Sequence, residues 1–463
     1  MLFNSYLFIF LFLPIVCIGF RLLTKVKSSF AIASWIVISS ACFYAYWDSS
    51  FLLLLLISIS INYAIGKVLA NIQNNRKPLL IIGIIINLML IGWYKYLGFF
   101  SEIFLYLSED VEFHAVDVFL PLGISFWTFQ QISYLIDVYK DKSQCERNAI
   151  FYFAYVLFFP QLIAGPIVRH SEFIPQLARD RLFRMSYRAI IIGICVFSIG
   201  LFKKVVVADM LSPWVIDIFD NKSDYTFLEA WNGALAYTLQ IYFDFSGYSD
   251  MAIGIAKMFN IDLPINFMSP YKSLSIIEFW RRWHITLSRF LRDYLYIPLG
   301  GKFSRYRNLL ITMLLGGLWH GAGFTFIVWG ALHGLALCIN HKWRSLNKKI
   351  PTIVSWGGTM IVVIICWVFF RAHSVDQAME IINAMFKLNE VIFFLNEELQ
   401  YRQHFITELL ILIACRYIPE TNEFISVRHD RKTVEKVICC FIMFLFAIYK
   451  MNAAPTEFLY FQF

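Results

Sequence analysis

Apolar residues occupy long stretches of this chain, and short charged loops separate them. A helix needs about 20 apolar residues to cross the hydrocarbon core of a bilayer, and these stretches approach or exceed that length. They predict ten membrane spans, at about 7–20, 30–47, 51–67, 79–98, 118–138, 187–207, 227–256, 352–370, 404–418 and 436–451. The pattern therefore predicts an all-α polytopic membrane protein, with residues 1–463 forming a single domain.

The charges of the connecting loops predict an orientation. Cytoplasmic loops of membrane proteins carry an excess of Lys and Arg. Arg21 and Lys25 follow the first span, whereas the loop at about 102–117 is acidic. Because the basic residues follow the first apolar run and do not precede it, we interpret this run as a retained span and not as a signal peptide. Both termini, including a short tail at 452–463, are then expected on the outer side.

Two apolar stretches break this alternation, since basic residues flank each of them at both ends. They are residues 149–168 and 308–340. Pro160, Gly165 and Pro166 interrupt the first, and six glycines lie in the second. Irregular backbone at membrane depth is tolerated only where protein or a water-filled cavity satisfies its polar groups. We therefore predict two re-entrant elements that line the functional interior.

The composition narrows the class of protein further. The chain is 59% hydrophobic and 16% charged, whereas a soluble domain is about half apolar and a quarter charged. These values exclude a disordered chain, a collagen-like fibre, a disulfide-rich secreted domain and an ordinary soluble enzyme. The net charge of +8 follows from the basic cytoplasmic loops, so we expect the lipid bilayer, and not a nucleic acid, as the partner of this surface.

The segment 276–296 has the pattern of an amphipathic helix lying at the cytoplasmic interface. Its apolar face carries Trp280, Trp283 and His284 at helical spacing, and its other face is rich in arginine. His284 is thus predicted to point inward. Spacing alone is also compatible with a buried histidine of purely structural role.

A second histidine, His320, lies in the glycine-rich string GGLWHGAGF at 316–324. An ionisable group in apolar membrane surroundings is by default a functional hypothesis, and a neutral imidazole is the usual proton-accepting base. Metal ligation is the competing chemistry. His333 and His341 are the nearest further histidines, but they form no zinc-binding motif with His320, so we expect no metal.

Two carboxylates, Asp244 and Asp250, lie within the apolar stretch 227–256 and need cationic partners there. Lys203 and Lys204, or else Arg281 and Arg282, are the candidates, and a structural polar network is the alternative to a catalytic role. The tail ends in the aromatic string FLYFQF at 458–463. Taken alone, this string is compatible with an aromatic anchor at the membrane interface or with the remnant of a protease-cleavage tag.

Several long motifs make this chain resemble the bacterial branch of the membrane-bound O-acyltransferases. The similarity spans nearly the whole chain and is strongest to the alginate and peptidoglycan O-acetyltransferase subunits, with the D-alanyl transfer protein of teichoic acids more distant. The motifs are PLGISFWTFQQISYLIDVY (121–139), FFPQLIAGPIVR (158–169), YFDFSGYSDMAIGIAKMF (242–259), LPINFMSPYKS (263–273), EFWRRWHITLSRFLRDYLYIPLGG (278–301) and GGLWHGAGFTFIVWGALHG (316–334).

The resemblance implies a ring of about ten or more transmembrane helices, with re-entrant and interfacial helices, around a thin central channel where acyl group and acceptor meet. It implies that His320 matches the family's invariant histidine and His284 its second histidine. The tail resembles a Phe-x-Tyr-x-x-Phe motif whose tyrosine is proposed to carry the acyl group, which makes Tyr460 the expected carrier. No metal is implied.

The implied reaction is the passage of an acetyl group from acetyl-CoA in the cytoplasm to a cell-surface glycan such as peptidoglycan or alginate. The CoA phosphates would meet Arg281, Arg282, Arg289 and Lys272. An extracytoplasmic SGNH-type O-acetyltransferase would be the partner, and the bacterial cytoplasmic (inner) membrane the location.

Two alternatives remain open on the sequence. One is D-alanyl-type transfer from a carrier protein in place of acetyl transfer from CoA. The other is a transporter or flippase, although the inverted repeats common in transporters are not visible in the chain.

Overall fold

The computed structural model describes residues 1–107, 119–141, 144–184, 186–348, 350–387, 399–421, 423, 432–451 and 456–459. Within these ranges the chain is helical and contains no β-strand. The helices up to residue 220 are α1 (Leu13–Thr24), α2 (Ser29–Ala45), α3 (Ser49–Asn71), α4 (Arg76–Ile91), α5 (Leu97–Leu107), α6 (Ile124–Lys140), α7 (Ala149–Leu157), α8 (Phe159–Leu162), α9 (His170–Leu177), α10 (Tyr187–Phe202) and α11 (Asp209–Asp220).

The second half of the chain is built in the same way. Its helices are α12 (Phe227–Met258), α13 (Ile276–Arg282), α14 (Ile285–Leu291), α15 (Arg305–His320), α16 (Phe324–Ser345), α17 (Thr352–Arg371), α18 (Val375–Met385), α19 (Leu399–Tyr417) and α20 (Lys432–Lys450). Short π-helical turns at Gly92–Tyr96 and Lys203–Ala208 join α4 to α5 and α10 to α11.

Among the described residues, five helical segments are long and apolar enough to cross a membrane. They are Ser49–Asn71, Arg76–Ser101, Tyr187–Asp220, Phe324–Ser345 and Thr352–Arg371. The all-α polytopic class predicted from the apolar stretches is therefore confirmed. The number of ten crossings, the single domain and the orientation of the termini stay predictions.

The glycine-rich stretch 308–340 folds as a helical hairpin of α15 and α16. The two helices are antiparallel and in close contact, because a Cβ atom on Gly317 would lie 2.2 Å from the carbonyl oxygen of Phe326 and one on Gly330 would lie 2.4 Å from that of Met313. The Cys338 thiol contacts the carbonyl of Tyr306 near the open end. The basic flanks of the stretch thus lie at one end of the hairpin, which agrees with the predicted re-entrant element.

The other interrupted stretch also has broken backbone. Helix α7 ends at Leu157, the single turn of α8 follows, and residues 163–169 are irregular before α9 begins at His170. Almost all of these residues are buried. Protein therefore surrounds the irregular backbone, as the membrane requires.

The predicted single helix over 276–296 is wrong at its centre. Helix α13 ends at Arg282, and His284 has φ 41° and ψ 56°, in the left-handed region, before α14 begins. The break is held by backbone hydrogen bonds to a distant segment: the Ile285 amide donates to the carbonyl of Asn266, and the Met268 amide donates to that of Arg282. These bonds satisfy the polar groups that a broken helix leaves free.

Helices α10 and α12 cross at very close range through two pairs of glycines. A Cβ atom on Gly200 would lie 2.5 Å from the Gly247 carbonyl oxygen, and one on Gly254 would lie 2.6 Å from that of Gly193. Small residues let membrane helices approach backbone to backbone, and dispersion contacts then hold them together. The crossing also brings Lys203 and Lys204, which follow α10, next to carboxylates of α12.

The crossing yields a stability prediction. In Gly254→Ala, the added methyl group must displace the Gly193 carbonyl and the Phe197 amide, which a Cβ would approach to 2.6 Å. Such overpacking costs about 1–3 kcal/mol. We expect the Tm of the protein in detergent to fall by several degrees. The matched control is Gly358→Ala, where nothing lies within 4 Å of the added atom, and an equal fall in that variant would contradict the crossing.

Candidate functional site

A cavity of about 370 Å³ opens beside the tip of the α15–α16 hairpin. The segment that leads into α6 forms most of its wall. The hairpin tip, the π-helical turn before α5 and the C-terminal tail contribute further lining residues. The lining residues are Trp47, Lys95, Phe119, Leu120, Pro121, Leu122, Gly123, Ile124, Ser125, Phe126, Ile163, Trp319, His320 and Glu457. The cavity therefore joins one of the predicted catalytic histidines to the C-terminal tail.

His320 is the last residue of α15 and is only 3% exposed. Its ring lies edge-on against the rings of Trp319, Trp329 and Phe370, with centroids 4.8, 5.0 and 5.3 Å away. Packing on these faces leaves the imidazole little rotational freedom. The residue that the motif singled out is thus a rigidly held imidazole at a cavity wall.

A lysine and a tyrosine from the π-helical turn between α4 and α5 cap the C-terminus of α15. The Lys95 ammonium donates hydrogen bonds to the carbonyls of Trp319 (2.7 Å) and His320 (2.8 Å), and the Tyr96 hydroxyl donates to that of Leu318. The last carbonyls of a helix lack partners within it and carry partial negative charge, so a cation stabilises them.

This cap fixes the hairpin tip and was not predicted from the sequence. The sequence contains one indication of it: Lys95 is a single lysine inside the apolar span predicted at 79–98.

His284 is completely buried. Its Nδ1 lies 3.0 Å from Oδ1 of Asn266. That oxygen also accepts hydrogen bonds from the Thr286 amide (3.3 Å) and the Thr286 hydroxyl (2.8 Å). Because two further donors point at it, the Asn266 atom is the amide oxygen and His284 Nδ1 carries the proton. The lone pair is then on Nε2, which has no hydrogen-bond partner among the described residues.

The two histidines share an aromatic neighbour, Trp319. The Trp319 ring lies 4.8 Å from the ring of His320 and 6.2 Å from that of His284. Phe126 lines the cavity and stacks on His284 at 6.3 Å. His284 therefore lies just behind the cavity wall, and its predicted inward position is confirmed, although a left-handed break and not a continuous helix places it there.

The four residues predicted to meet donor phosphates have different surroundings. Arg282 pairs with Glu278 (3.0 Å) and Glu420 (3.2 Å). Arg289 pairs with Glu172 at 2.8 Å. Arg281 is exposed at the end of α13, and Lys272 is half-buried. Two of the four cations are thus already engaged by carboxylates of the chain, and donor binding stays a prediction.

A further group of charged residues, for which the sequence predicted no role, surrounds the segment that follows α14. Arg169 and Arg292 both form ion pairs with Asp293, and the Tyr294 hydroxyl donates to Asp137 at 2.9 Å. Partial burial disfavours the charged carboxylate, but the hydrogen bonds from Arg292 and Arg169 outweigh it and hold the pKa of Asp293 below its ordinary value. Asp293 is therefore ionised at neutral pH.

The intramembrane carboxylates have lysine partners. Asp244 pairs with Lys204, and Asp250 pairs with Lys203 at 2.6 Å. Lys204 also lies 3.0 Å from Asp209. The lysine pairing predicted from the sequence is therefore confirmed.

The tail enters the fold beside the first of these ion pairs. The Lys204 ammonium donates to the carbonyl of Glu457 (3.0 Å), and the Leu459 amide donates to Asp244 (3.1 Å). The Phe458 ring packs between Phe245 and Tyr248, with centroids 5.4 and 4.8 Å away. The predicted acyl carrier, Tyr460, lies outside the described residues. Thr456 and Glu457 are exposed and Phe458 is buried, so the described part of the tail is docked on the protein through the Phe458 ring and these backbone bonds.

His333 is engaged differently. Its Nδ1 accepts a hydrogen bond from the Trp280 indole (3.3 Å), and its ring packs against Trp329 at 4.9 Å. In the described ranges, no three His, Cys, Asp or Glu side chains are grouped as metal ligands.

Known proteins resemble this chain at the level of the whole sequence. The peptidoglycan O-acetyltransferase of Helicobacter pylori is 39% identical over all of this chain and 98% of that protein. The probable alginate O-acetylase AlgI of Azotobacter vinelandii is 42% identical over 84% of this chain and 79% of that protein. The teichoic acid D-alanyltransferase of Streptococcus thermophilus is 30% identical over 50% of this chain and 59% of that protein.

The family model for membrane-bound O-acyltransferases matches residues 145–376. This region contains both histidines, the broken segment after α7 and the α15–α16 hairpin. The family model thus covers the hairpin tip and the break at His284. Residues 119–126, which form most of the cavity wall, precede the matched range but lie within the similarity to the Helicobacter pylori protein. The chain belongs to the membrane-bound O-acyltransferase family and is a multi-pass membrane O-acyltransferase.

Proposed function

We propose that this protein transfers an acetyl group from acetyl-CoA, a cytoplasmic thioester, to the hydroxyl of Tyr460. A separate SGNH-type O-acetyltransferase outside the cytoplasmic (inner) membrane then passes the group to a cell-surface glycan such as peptidoglycan or alginate. The observation that carries the proposal is that the tail residue Glu457 and His320 line one cavity. The names of the relatives that cover most of the chain support acetyl as the acyl group.

The reach of the tail is compatible with this role. Tyr460 follows directly on Leu459, whose amide is bonded to Asp244. Tyr460 is the third residue after Glu457 in the cavity wall, a span of at most roughly 11 Å. A tyrosine side chain adds its own length to this, so the length of the chain allows the hydroxyl to enter the cavity that His320 lines.

The chemistry needs one base and one acceptor. His320 removes the phenolic proton as the tyrosine oxygen attacks the thioester carbonyl. The new C–O bond forms and the C–S bond breaks. The CoA thiolate leaves and takes the proton from the imidazolium, so the products are O-acetyl-tyrosine and free CoA thiol.

His284 has a different role in this scheme. Its Nδ1 proton is committed to Asn266, so Nε2 offers only a lone pair. An acceptor nitrogen orients a donor N–H or O–H group and does not polarise a carbonyl. We therefore assign His284 to orienting the acyl donor or the attacking hydroxyl.

The phosphates of CoA would meet the basic residues near α13. Arg281 is exposed, so it is the first contact that a cytoplasmic donor would make. Arg282 and Arg289 would exchange their carboxylate partners for phosphate, and Lys272 would add a further charge.

D-alanyl transfer from a carrier protein is the second candidate. The similarity to the teichoic acid D-alanyltransferase favours it, but that similarity spans half of this chain at 30% identity. Membership in an enzyme family leaves the transporter or flippase without support.

The first prediction concerns the carrier. In Tyr460→Phe, loss of the hydroxyl removes the attacking atom, so radiolabel from acetyl-CoA should no longer attach to the purified protein. A fall of at least 100-fold is expected on a denaturing gel, with an unchanged Tm. The matched control is Tyr449→Phe, which removes a hydroxyl from an exposed tyrosine at the end of α20. Full labelling of Tyr460→Phe would exclude Tyr460 as the carrier.

The second prediction concerns the base. Removing a general base lowers the rate by about 10²–10⁴-fold, and we expect this loss of labelling in His320→Ala. The control His373→Gln replaces an exposed histidine paired with Asp220 and should retain the rate. Replacing acetyl-CoA by a D-alanyl-loaded carrier protein in the same assay decides between the two donors. Labelling by the carrier alone would show that the acetyl assignment is wrong.

A further inference from the structure

One buried ion pair binds two backbone groups of the tail. Lys204 and Asp244 are 3% and 1% exposed, and they bond to each other across the α10–α12 crossing. Lys204 also pairs with Asp209 at 3.0 Å. Both members of the pair bond to the tail: Lys204 donates to the Glu457 carbonyl, and Asp244 accepts from the Leu459 amide. We propose that the Lys204–Asp244 pair is a binding site for the backbone of residues 457–459 and that it positions Tyr460 for acylation.

The two contacted groups lie close together along the chain, with only Phe458 between the residues that carry them. An ammonium and a carboxylate side by side therefore match the carbonyl of Glu457 and the amide of Leu459 at the same time. Recognition of this kind depends on the backbone and not on the side chains of residues 457 and 459.

The same contacts fix the register of the tail. A shift by one residue would move the Glu457 carbonyl and the Leu459 amide away from their partners and remove both bonds. The Phe458 ring fills the space between Phe245 and Tyr248, and the Asn4 amide donates to the Thr456 carbonyl at 3.2 Å. Three bonds and one buried ring thus hold four consecutive residues, and the next residue is Tyr460.

Phe245 connects this binding site to the histidines. Its ring lies 5.4 Å from that of Phe458 and 4.8 Å from that of His284. The bound tail is therefore separated from a predicted catalytic side chain by a single aromatic ring. A change in the position of the tail would therefore alter the packing of Phe245 and, through it, that of His284.

Tail binding also explains why the position is occupied by the Lys204–Asp244 ion pair and not by two apolar side chains. Well-packed apolar residues often replace a buried ion pair without loss of stability, so stability alone does not require the pair. An apolar pair could pack between α10 and α12, but it could not donate to a carbonyl or accept from an amide. The neighbouring Lys203–Asp250 pair joins the same two elements, but both of its members bond to Thr421 and not to the tail.

That neighbouring pair provides a matched control. The test compares the double variant Lys204→Met/Asp244→Leu with Lys203→Met/Asp250→Leu in the full-length protein in detergent. Both variants replace one buried pair by apolar side chains. Because Lys204→Met also removes the partner of Asp209, the single variant Asp209→Asn is measured beside them to account for that loss. The Tm of each reports whether the helix crossing is intact.

The first measurement does not depend on activity. A carboxypeptidase is added and the mass of the intact chain is followed. In the parent protein and in Lys203→Met/Asp250→Leu, trimming should stall at Leu459, after loss of at most the four residues 460–463. In Lys204→Met/Asp244→Leu it should continue through Leu459 and Phe458 at least tenfold faster. An identical stall in all three proteins would overturn the binding site.

The second measurement tests positioning and rests on the proposed function. The first-order rate constant of acetyl labelling at saturating acetyl-CoA should fall at least tenfold in Lys204→Met/Asp244→Leu, with the acetyl-CoA concentration that gives half the maximal rate within twofold of the parent value. An unchanged rate constant together with a released tail would overturn positioning. Loss of labelling in this variant, combined with full labelling of Tyr460→Phe, would instead refute Tyr460 as carrier and leave the binding site standing.

Discussion

The close crossing of α10 and α12 is the constraint on which the other features depend. Two glycine pairs remove the side chains that would keep the helices apart, and the backbones therefore meet. Only at this distance do the lysines that follow α10 reach the carboxylates of α12 and neutralise them in an apolar environment. The ion pair that results then provides the surface on which the C-terminal tail lies.

Each of the predicted reacting groups is held by polar contacts from a different part of the chain. Lys95 and Tyr96 cap the helix that ends at His320, and Asn266 fixes the tautomer of His284. The Lys204–Asp244 pair holds the tail. Asn266 and the Lys204–Asp244 pair are buried, and Lys95 and Tyr96 are half-buried; a hydrogen bond is stronger where water competes less for it. Acyl transfer to a hydroxyl requires such fixed placement, since a loose acceptor would lose to water as the nucleophile.

Prediction from the sequence succeeded where the pattern was local and failed where a distant contact decided the structure. The hairpin of α15 and α16 was visible in its glycines and basic flanks, and the lysine partners of Asp244 and Asp250 followed from the cost of burying charge. The helix over 276–296 was predicted as continuous because its apolar spacing is helical. Hydrogen bonds to Asn266, which lies 18 residues before His284, break this helix. The periodicity of the helical segment itself does not reveal them.

The sequence by itself determined the membrane class, the family and the identity of the histidines, because apolar run length and contiguous motifs are properties of the chain. Only the tertiary structure decided what each of these residues contacts. It brought Lys95 to the carbonyl of His320 and bound residues 456–459 to the protein by backbone hydrogen bonds. These contacts join positions more than 200 residues apart, and their free energy comes from satisfying buried polar groups that meet only after the helices have packed.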